Sequence, residues 1–181
     1  VIEAAEKFDA PVILMSNSDA VEHMEVEHSA ALFLSMADAS STNVVVHLDH
    51  AKTFAFSECA IKAGYTSVMF DGSSLPLNEN IEKTNQVIEL AEKYDVSVEA
   101  ELGCVPYTDR NKEIKSVYTS PEDVSAFVSQ AHVDALAVAV GSLHRMQKKE
   151  ARIDFGLLSE IESLTDIPLV IHGASGIVDD D

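Results

Sequence analysis

Short apolar segments alternate with amphipathic segments along the whole chain. The apolar segments are continuously apolar or rich in β-branched residues, a pattern typical of parallel strands that are covered on both faces. Six such segments are predicted to be strands: Pro11–Met15, Val44–Leu48, Thr66–Phe70, Val96–Ala100, Asp134–Val140 and Pro168–Ile171.

The segments between the predicted strands carry helical signals. "TFAFSECAIKAG" has apolar spacings of three and four and stops at Gly64, a predicted helix C-cap. "NENIEKTNQVIELAEKYD" keeps its apolar residues on one helical face. In "SPEDVSAFVSQA", Ser120 is the predicted N-cap and Pro121 the first helical residue. The alternation of strands and helices predicts an α/β fold with a parallel sheet.

Polar residues follow the ends of the predicted strands along the whole chain. A doubly wound sheet concentrates its site at one switch point, whereas a (β/α)8 barrel gathers residues from the carboxyl ends of several strands. The distribution therefore favours a (β/α)8 TIM barrel, although six strands are two short of eight. We expect residues 1–181 to form a single barrel domain that is incomplete at both ends and lacks the first and last strands.

Composition and charge narrow the possible partners. The chain has 31 acidic and 12 basic residues, a net charge of −19, which argues against binding to nucleic acid or to an anionic membrane. No apolar run reaches the roughly 18 residues of a membrane span, and no signal peptide is recognisable. Two cysteines are too few for a disulfide framework, so a cytoplasmic location is expected.

Three histidines come just after predicted strands: His50, His144 and His172. A barrel would bring them together, and three imidazoles with one open position describe a catalytic Zn²⁺ site. The alternative is that each is an ordinary surface or helix-capping histidine. The histidines of helical or loop segments lack this placement and are not expected to bind metal: His23, His28 and His132.

The segment "VVVHLDHAKT" places His47 and Asp49 close to His50. Alternation along a strand points His47 to the same side as Asp49, and we interpret His47 as a hydrogen-bonded core histidine rather than a ligand. Asp49 is a candidate metal ligand, a residue that orients a ligand, or an acid–base group.

Two further segments carry candidate chemistry. Glu99 and Glu101 alternate onto one face of their strand, where buried carboxylates need a metal, a lysine or a substrate; the alternative is an edge strand with solvated acids. "HGASG", from His172 to Gly176, is a loop of the kind that presents backbone N–H groups to an anion such as phosphate.

A set of segments, in order along nearly the whole chain, resembles class II, zinc-dependent fructose-bisphosphate and tagatose-bisphosphate aldolases. These segments are "HLDH", "AGYTSVMFDGSSLPLNENIEKT", "VSVEAELG", "YTSPEDVSAFV", "VDALAVAVGSLH" and "IPLVIHGASGI". The family fold is a (β/α)8 barrel. The resemblance implies a lyase of carbohydrate metabolism that reversibly cleaves a ketose 1,6-bisphosphate to dihydroxyacetone phosphate and glyceraldehyde 3-phosphate.

The resemblance also implies residue roles. Asp49 matches the residue that exchanges a proton with a substrate hydroxyl, and Glu101 matches a glutamate near the metal that is used when the ion shifts position. The three histidines named above match the zinc ligands. The remaining implied roles are phosphate binding by Gly173 and Ser175, assisted by Na⁺ or K⁺, and substrate binding by Ser16 or Ser18. The resemblance further implies a homodimer or homotetramer.

Two departures from the family pattern support an alternative function. The loop "GCVPYTDRNKEIKS" lacks the usual Gly pair, and only Asp109 or Glu113 could stand in for the mobile catalytic base. Arg145 replaces a glycine whose backbone normally meets phosphate. The alternative is a non-catalytic or altered paralogue that retains metal and phosphosugar binding. A third interpretation is that the 181 residues are a fragment of an ordinary enzyme.

Overall fold

The computed structural model describes residues 1–106 and 118–181. These residues form two compact units. The first consists of Val1–Asp71 and Lys83–Glu99, and the second consists of Gly72–Glu82 and Ala100–Asp181. Strands and helices alternate along the chain, as the sequence pattern predicts. None of the helices in the described part of the chain combines the length and apolar character that crossing a membrane requires.

The first unit holds three complete strands: β1 (Val12–Asn17), β2 (Val44–Ala51) and β3 (Ser67–Phe70). They are consecutive parallel neighbours, and β1 pairs with β2 without interruption from Val12 opposite Val44 to Asn17 opposite Asp49. The β2–β3 register shifts between Leu48 and Ala51. The helices of this unit are α1 (Ile2–Lys7), α2 (Ser18–Met24), α3 (Val26–Asp38) and α4 (Phe54–Ala63).

Two elements cross the boundary between the units along the chain. Helix α5 (Leu77–Ala91) begins in the second unit and ends in the first, followed by a short 3₁₀ helix (Glu92–Tyr94). Strand β4 (Ser97–Leu102) begins in the first unit, where the Ser97 N–H donates to the Thr66 carbonyl, and ends in the second.

The second unit continues with β5 (Ala135–Val138) and β6 (Leu169–Val170), which pair in parallel with Leu136 opposite Leu169. Its helices are α6 (Pro121–Val128), α7 (Phe155–Glu162) and a 3₁₀ helix (Ala174–Gly176). The buried Thr119 links the end of β4 to the residue directly after β5. Its hydroxyl donates to the Leu102 carbonyl and accepts from the Ala139 N–H.

The local predictions from the sequence are confirmed. Each of the six predicted strands is present with small shifts at its ends. Gly64 caps α4 with φ of 103°, a left-handed conformation that favours glycine, and the Ser120 hydroxyl accepts from the Asp123 N–H ahead of Pro121. The α/β class with parallel strands is therefore correct, while the closed eight-stranded barrel goes beyond the six strands of the described residues.

Candidate functional site

His47 lies in the interior of the first unit and has polar partners. It is 3% exposed, and its Nδ1 lies 2.7 Å from the hydroxyl of Ser67 on β3. Its Nε2 lies 3.7 Å from a carboxylate oxygen of Glu99 on β4. The prediction of a hydrogen-bonded core histidine is confirmed by the Nδ1–Ser67 contact, since a buried imidazole needs a hydrogen-bond partner.

The carboxyl end of β2 departs from regular strand geometry. His50 has φ of 54°, and the register shift between Leu48 and Ala51 falls across Asp49 and His50. His50 is buried and Asp49 is partly exposed, with 3.7 Å between His50 Nε2 and Asp49 Oδ1. Irregularities of this kind re-aim side chains at the end of a strand.

Asp71, directly after β3, contacts the ring of His50. Asp71 Oδ2 lies 3.1 Å from His50 Nδ1. Because Nδ1 is used for this contact, Nε2 is the nitrogen that His50 can offer to a metal ion. Burial lowers the pKa of His50, but the Asp71 hydrogen bond and the nearby carboxylates, Asp49 among them, outweigh it, so the pKa is raised overall.

In the second unit, the structure places His144 and His172 side by side. Their ring centroids are 5.8 Å apart, and a ring nitrogen of one lies within 4.8 Å of a ring nitrogen of the other. His172 is buried and His144 is half-buried. The backbone N–H of His144 donates to the Pro106 carbonyl at 2.9 Å. Two imidazoles at this separation can ligate one ion. The alternative of ordinary surface histidines does not fit the buried His50 and His172.

Gly173 holds the loop after β6 against the segment that carries His144. Its φ is 67°, and a Cβ at this position would lie 2.6 Å from the carbonyl carbon of Leu143 and 2.9 Å from the His144 nitrogen. A side chain is therefore excluded here by both space and conformation. Ser175 is exposed in the 3₁₀ helix that follows.

Both glutamates of β4 are buried. Glu99 is 8% exposed in the first unit, and Glu101 is 2% exposed in the second. Glu101 Oε1 accepts from the Val105 N–H at 3.4 Å, and its backbone carbonyl accepts from the side-chain amide of Asn80 at 3.0 Å. The alternative of solvated acids is wrong for both residues.

The two candidate serines have different surroundings. The Ser16 hydroxyl lies 3.1 Å from the hydroxyl of the buried Tyr65, whose pKa is raised by burial. The Ser18 hydroxyl donates to the backbone carbonyls of Asp49 and His50. Ser18 is thus the serine that contacts the irregular end of β2.

The remaining candidates divide into three groups. Arg145 is exposed with φ of 57°, a conformation that glycine adopts easily, as expected where the family has glycine. Asp109 and Glu113 lie outside the described residues. The histidines not expected to bind metal are exposed: His23 and His28 in helices, and His132 before β5.

A family model for class-II fructose-bisphosphate aldolase matches residues 1–181. The chain belongs to this aldolase family. It is 38% identical to a fructose-bisphosphate aldolase from Helicobacter pylori (strain J99 / ATCC 700824) over 186 residues, covering 99% of the chain and 61% of that relative. It is 36% identical over 183 residues to a 6-phospho-5-dehydro-2-deoxy-D-gluconate aldolase from Shouchella clausii (strain KSM-K16), covering 99% and 62%.

The chain also resembles a solved structure, that of the YdjI aldolase from Escherichia coli K12. The TM-score is 0.85 at 32% sequence identity, covering 99% of this chain and 63% of that one. The chain thus spans about three fifths of the length of the relatives it matches.

The donor groups of this family member suit a metal ion. Class II aldolases generally depend on a metal, and the described residues include histidine, aspartate and glutamate groups able to hold one. His50 has one ring nitrogen fixed by a carboxylate, the arrangement that orients metal-binding histidines. His144 and His172 present adjacent rings in the other unit.

Three contacts of the β2 segment were not predicted from the sequence: Asp71 with His50, Ser67 with His47, and the Ser18 hydroxyl with the backbone carbonyls of Asp49 and His50. Asp71 gave a signal, because it is polar and follows a strand directly. The only signal for Ser18 was its position directly after β1. Ser67 carried no signal, because it lies inside a predicted strand.

Proposed function

We propose that the full-length protein is a metal-dependent aldolase. It reversibly cleaves a ketose 1,6-bisphosphate, of fructose or tagatose, to dihydroxyacetone phosphate and glyceraldehyde 3-phosphate. The observation that carries this proposal is the aldolase family match over all 181 residues, which include every candidate ligand and the candidate proton-transfer residue.

The proposed ligands of the divalent ion, Zn²⁺ or another metal, are His50, His144 and His172, with Glu101 as a further ligand. The Asp71–His50 contact supports this assignment because a carboxylate on Nδ1 orients the ring as in metal-binding histidines. The adjacent rings of His144 and His172 support it because two neighbouring imidazoles can ligate one ion. When bound, the ion supplies Lewis-acid polarisation of the ketose carbonyl.

Asp49 is the proposed general acid and base. It lies two residues after the buried His47 and directly before His50. The candidate proton-transfer group and a candidate metal ligand therefore lie at the same strand end. A carboxylate there can take the proton of the substrate hydroxyl as the carbon–carbon bond breaks and return it in the reverse reaction. Its partial exposure leaves it accessible to substrate.

Gly173 and Ser175 are the proposed phosphate-binding residues, with Na⁺ or K⁺ as an additional cation and Ser16 as a further substrate contact. The left-handed Gly173 leads into the 3₁₀ turn Ala174–Gly176, a loop of the kind whose backbone N–H groups bind an anion even in a chain with a net charge of −19. The Ser16 hydroxyl already contacts the Tyr65 hydroxyl, so in the proposed complex it contacts both Tyr65 and the substrate.

We further propose that residues 1–181 belong to a single (β/α)8 barrel domain in the full-length protein. The consecutive parallel strands of the first unit support this, as does the structural likeness to the YdjI aldolase. The protein is proposed to be cytoplasmic and to act as a homodimer or homotetramer.

Two other functions have specific support. Arg145 in place of the usual glycine favours an altered paralogue that binds metal and phosphosugar without turnover. The Shouchella clausii relative favours 6-phospho-5-dehydro-2-deoxy-D-gluconate as the substrate. Both alternatives keep the proposed metal site. The first differs from the main proposal in lacking turnover, and the second differs in its substrate.

The test combines metal analysis with turnover in the full-length protein and in His50→Ala, His144→Ala and His172→Ala. We expect each variant to lose bound metal and cleavage, whereas His132→Ala, which removes an exposed histidine, retains both. Metal with no cleavage of either bisphosphate would support one of the other functions, and the gluconate substrate then separates them. Unchanged metal content in all three variants would contradict the ligand assignment.

A further inference from the structure

His50 has a backbone conformation that is unusual for its residue type. Its φ of 54° lies in the left-handed region, which non-glycine residues enter rarely and keep only where the surrounding structure holds them there. The same residue lies in the register shift of β2, between Leu48 and Ala51. Contacts from neighbouring residues must therefore hold the backbone at His50 in this conformation.

Ser18 contacts this segment at the point where regular pairing stops. The β1–β2 ladder ends with Asn17 opposite Asp49, and Ser18 is the next residue. Its hydroxyl lies 3.2 Å from the carbonyl oxygen of Asp49 and also donates to the carbonyl of His50. A side-chain hydroxyl thus takes over from the backbone donors of β1 at the irregular end of β2.

The position of Ser18 is itself fixed. It is the first residue of α2, and Asn17 caps this helix by accepting the Ala20 N–H at 3.0 Å. On the opposite side of β2, the Asp71 N–H donates to the Ala51 carbonyl at 2.8 Å. The segment from Asp49 to Ala51 is therefore held from both sides, by Ser18 directly after β1 and by Asp71 directly after β3.

We propose that Ser18 is a positioning residue, whose hydroxyl holds the left-handed backbone at His50 and so aims the side chains of Asp49 and His50. Ser18 acts on their backbone and needs no contact with the reacting atoms. The tasks of the two aimed side chains, proton transfer and metal binding, rest on the function proposed above.

The test uses Ser18→Ala in the full-length protein, with Ser18→Thr as the conservative variant that keeps the hydroxyl. The matched control is Ser125→Ala, which removes a serine hydroxyl that donates to the Pro121 carbonyl at 3.2 Å on the exposed side of α6. We expect Ser18→Ala to weaken metal binding about 10-fold or more, as losses of supporting partners of metal ligands do, and to lower kcat more than it changes KM. Ser18→Thr should restore both, and Ser125→Ala should change neither.

A second measurement does not depend on the enzyme's activity. The ¹H–¹⁵N signals of the His50 ring, recorded without metal, should shift in Ser18→Ala and stay in place in Ser125→Ala. Unshifted ring signals, or metal affinity and kcat of Ser18→Ala within about twofold of the wild type, would overturn the positioning role. A wild-type protein that binds no metal would instead contradict the proposed function, and the ring signals would still decide the role of Ser18.

Discussion

The imidazole of His50 and the carboxylate of Asp71 meet across neighbouring strands, with 3.1 Å between Nδ1 and Oδ2. His50 lies in the irregular part of β2, and Asp71 comes directly after β3. A carboxylate on Nδ1 fixes which nitrogen carries the proton and turns Nε2 toward a ligand. This contact prepares one histidine of the proposed metal site within the first unit alone.

Asp71→Asn tests the contribution of this contact. The amide keeps the size of the side chain but removes the negative charge beside His50, so the affinity for a divalent ion should fall about 10- to 100-fold. The measurement is competition with a metal-binding dye. Asp38→Asn, which removes an exposed carboxylate at the end of α3, is the control and should bind metal as the wild type does. Equal affinity in Asp71→Asn would show that the contact does not matter for binding.

Asp49→Asn separates proton transfer from metal binding. An amide cannot take a proton from the substrate hydroxyl, so kcat should fall by roughly 10²- to 10⁴-fold. Bound metal, measured by elemental analysis, should stay at the wild-type level because Asp49 is not among the proposed ligands. Loss of metal from this variant would indicate that Asp49 is a ligand, and unchanged kcat would remove it from the mechanism.

Thr119→Val tests the link between β4 and β5 in the second unit. The substitution leaves the Ala139 N–H and the Leu102 carbonyl buried without the threonine hydroxyl that now serves both. We expect the free energy of unfolding in urea to fall by about 1–3 kcal/mol for each group left unpaired. Thr119→Ser, which keeps the hydroxyl, should lose much less. A loss confined to Thr119→Ser, with Thr119→Val as stable as the wild type, would indicate that the methyl group matters and the hydrogen bonds do not.

Glu6→Gln tests a pH-dependent contribution in the first unit. The Ser41 N–H and then the Ser40 hydroxyl donate to the Glu6 carboxylate and hold its pKa below the ordinary 4.5. A lowered folded-state pKa stabilises the fold above 4.5, and this stabilisation disappears as the pH falls through the folded-state value. Urea unfolding should therefore show Glu6→Gln as less stable at neutral pH, with the difference closing in acid.

Glu3→Gln is the control for this pH effect, because Glu3 lies exposed on the same helix. It should follow the wild type at both pH values. A difference between the wild type and Glu6→Gln that persists unchanged in acid would contradict the linkage.

The sequence predicts well those features of the fold that depend on residues close together in the chain. The β-branched segments predict all six strands, and Ser120 and Gly64 predict helix ends, because strand burial and capping depend on neighbouring residues. It also singles out His50, Asp49 and Glu101 by their place after or at the end of strands.

Contacts between distant residues were beyond such patterns. The left-handed backbone at His50 and the register shift of β2 have no signature in the residue types. The contact of His50 with Asp71 joins β2 to the end of β3, and the hydroxyl of Ser18 has a role only once β1 lies beside β2. These contacts depend on which strands become neighbours.

The most direct measurement of the central claim is cleavage of fructose and tagatose 1,6-bisphosphate by the full-length protein before and after treatment with a chelator. We predict that the untreated protein cleaves at least one of them, that chelation abolishes the cleavage, and that added Zn²⁺ or another divalent ion restores it. Turnover that continues undiminished in a protein shown by elemental analysis to be free of metal would contradict the account.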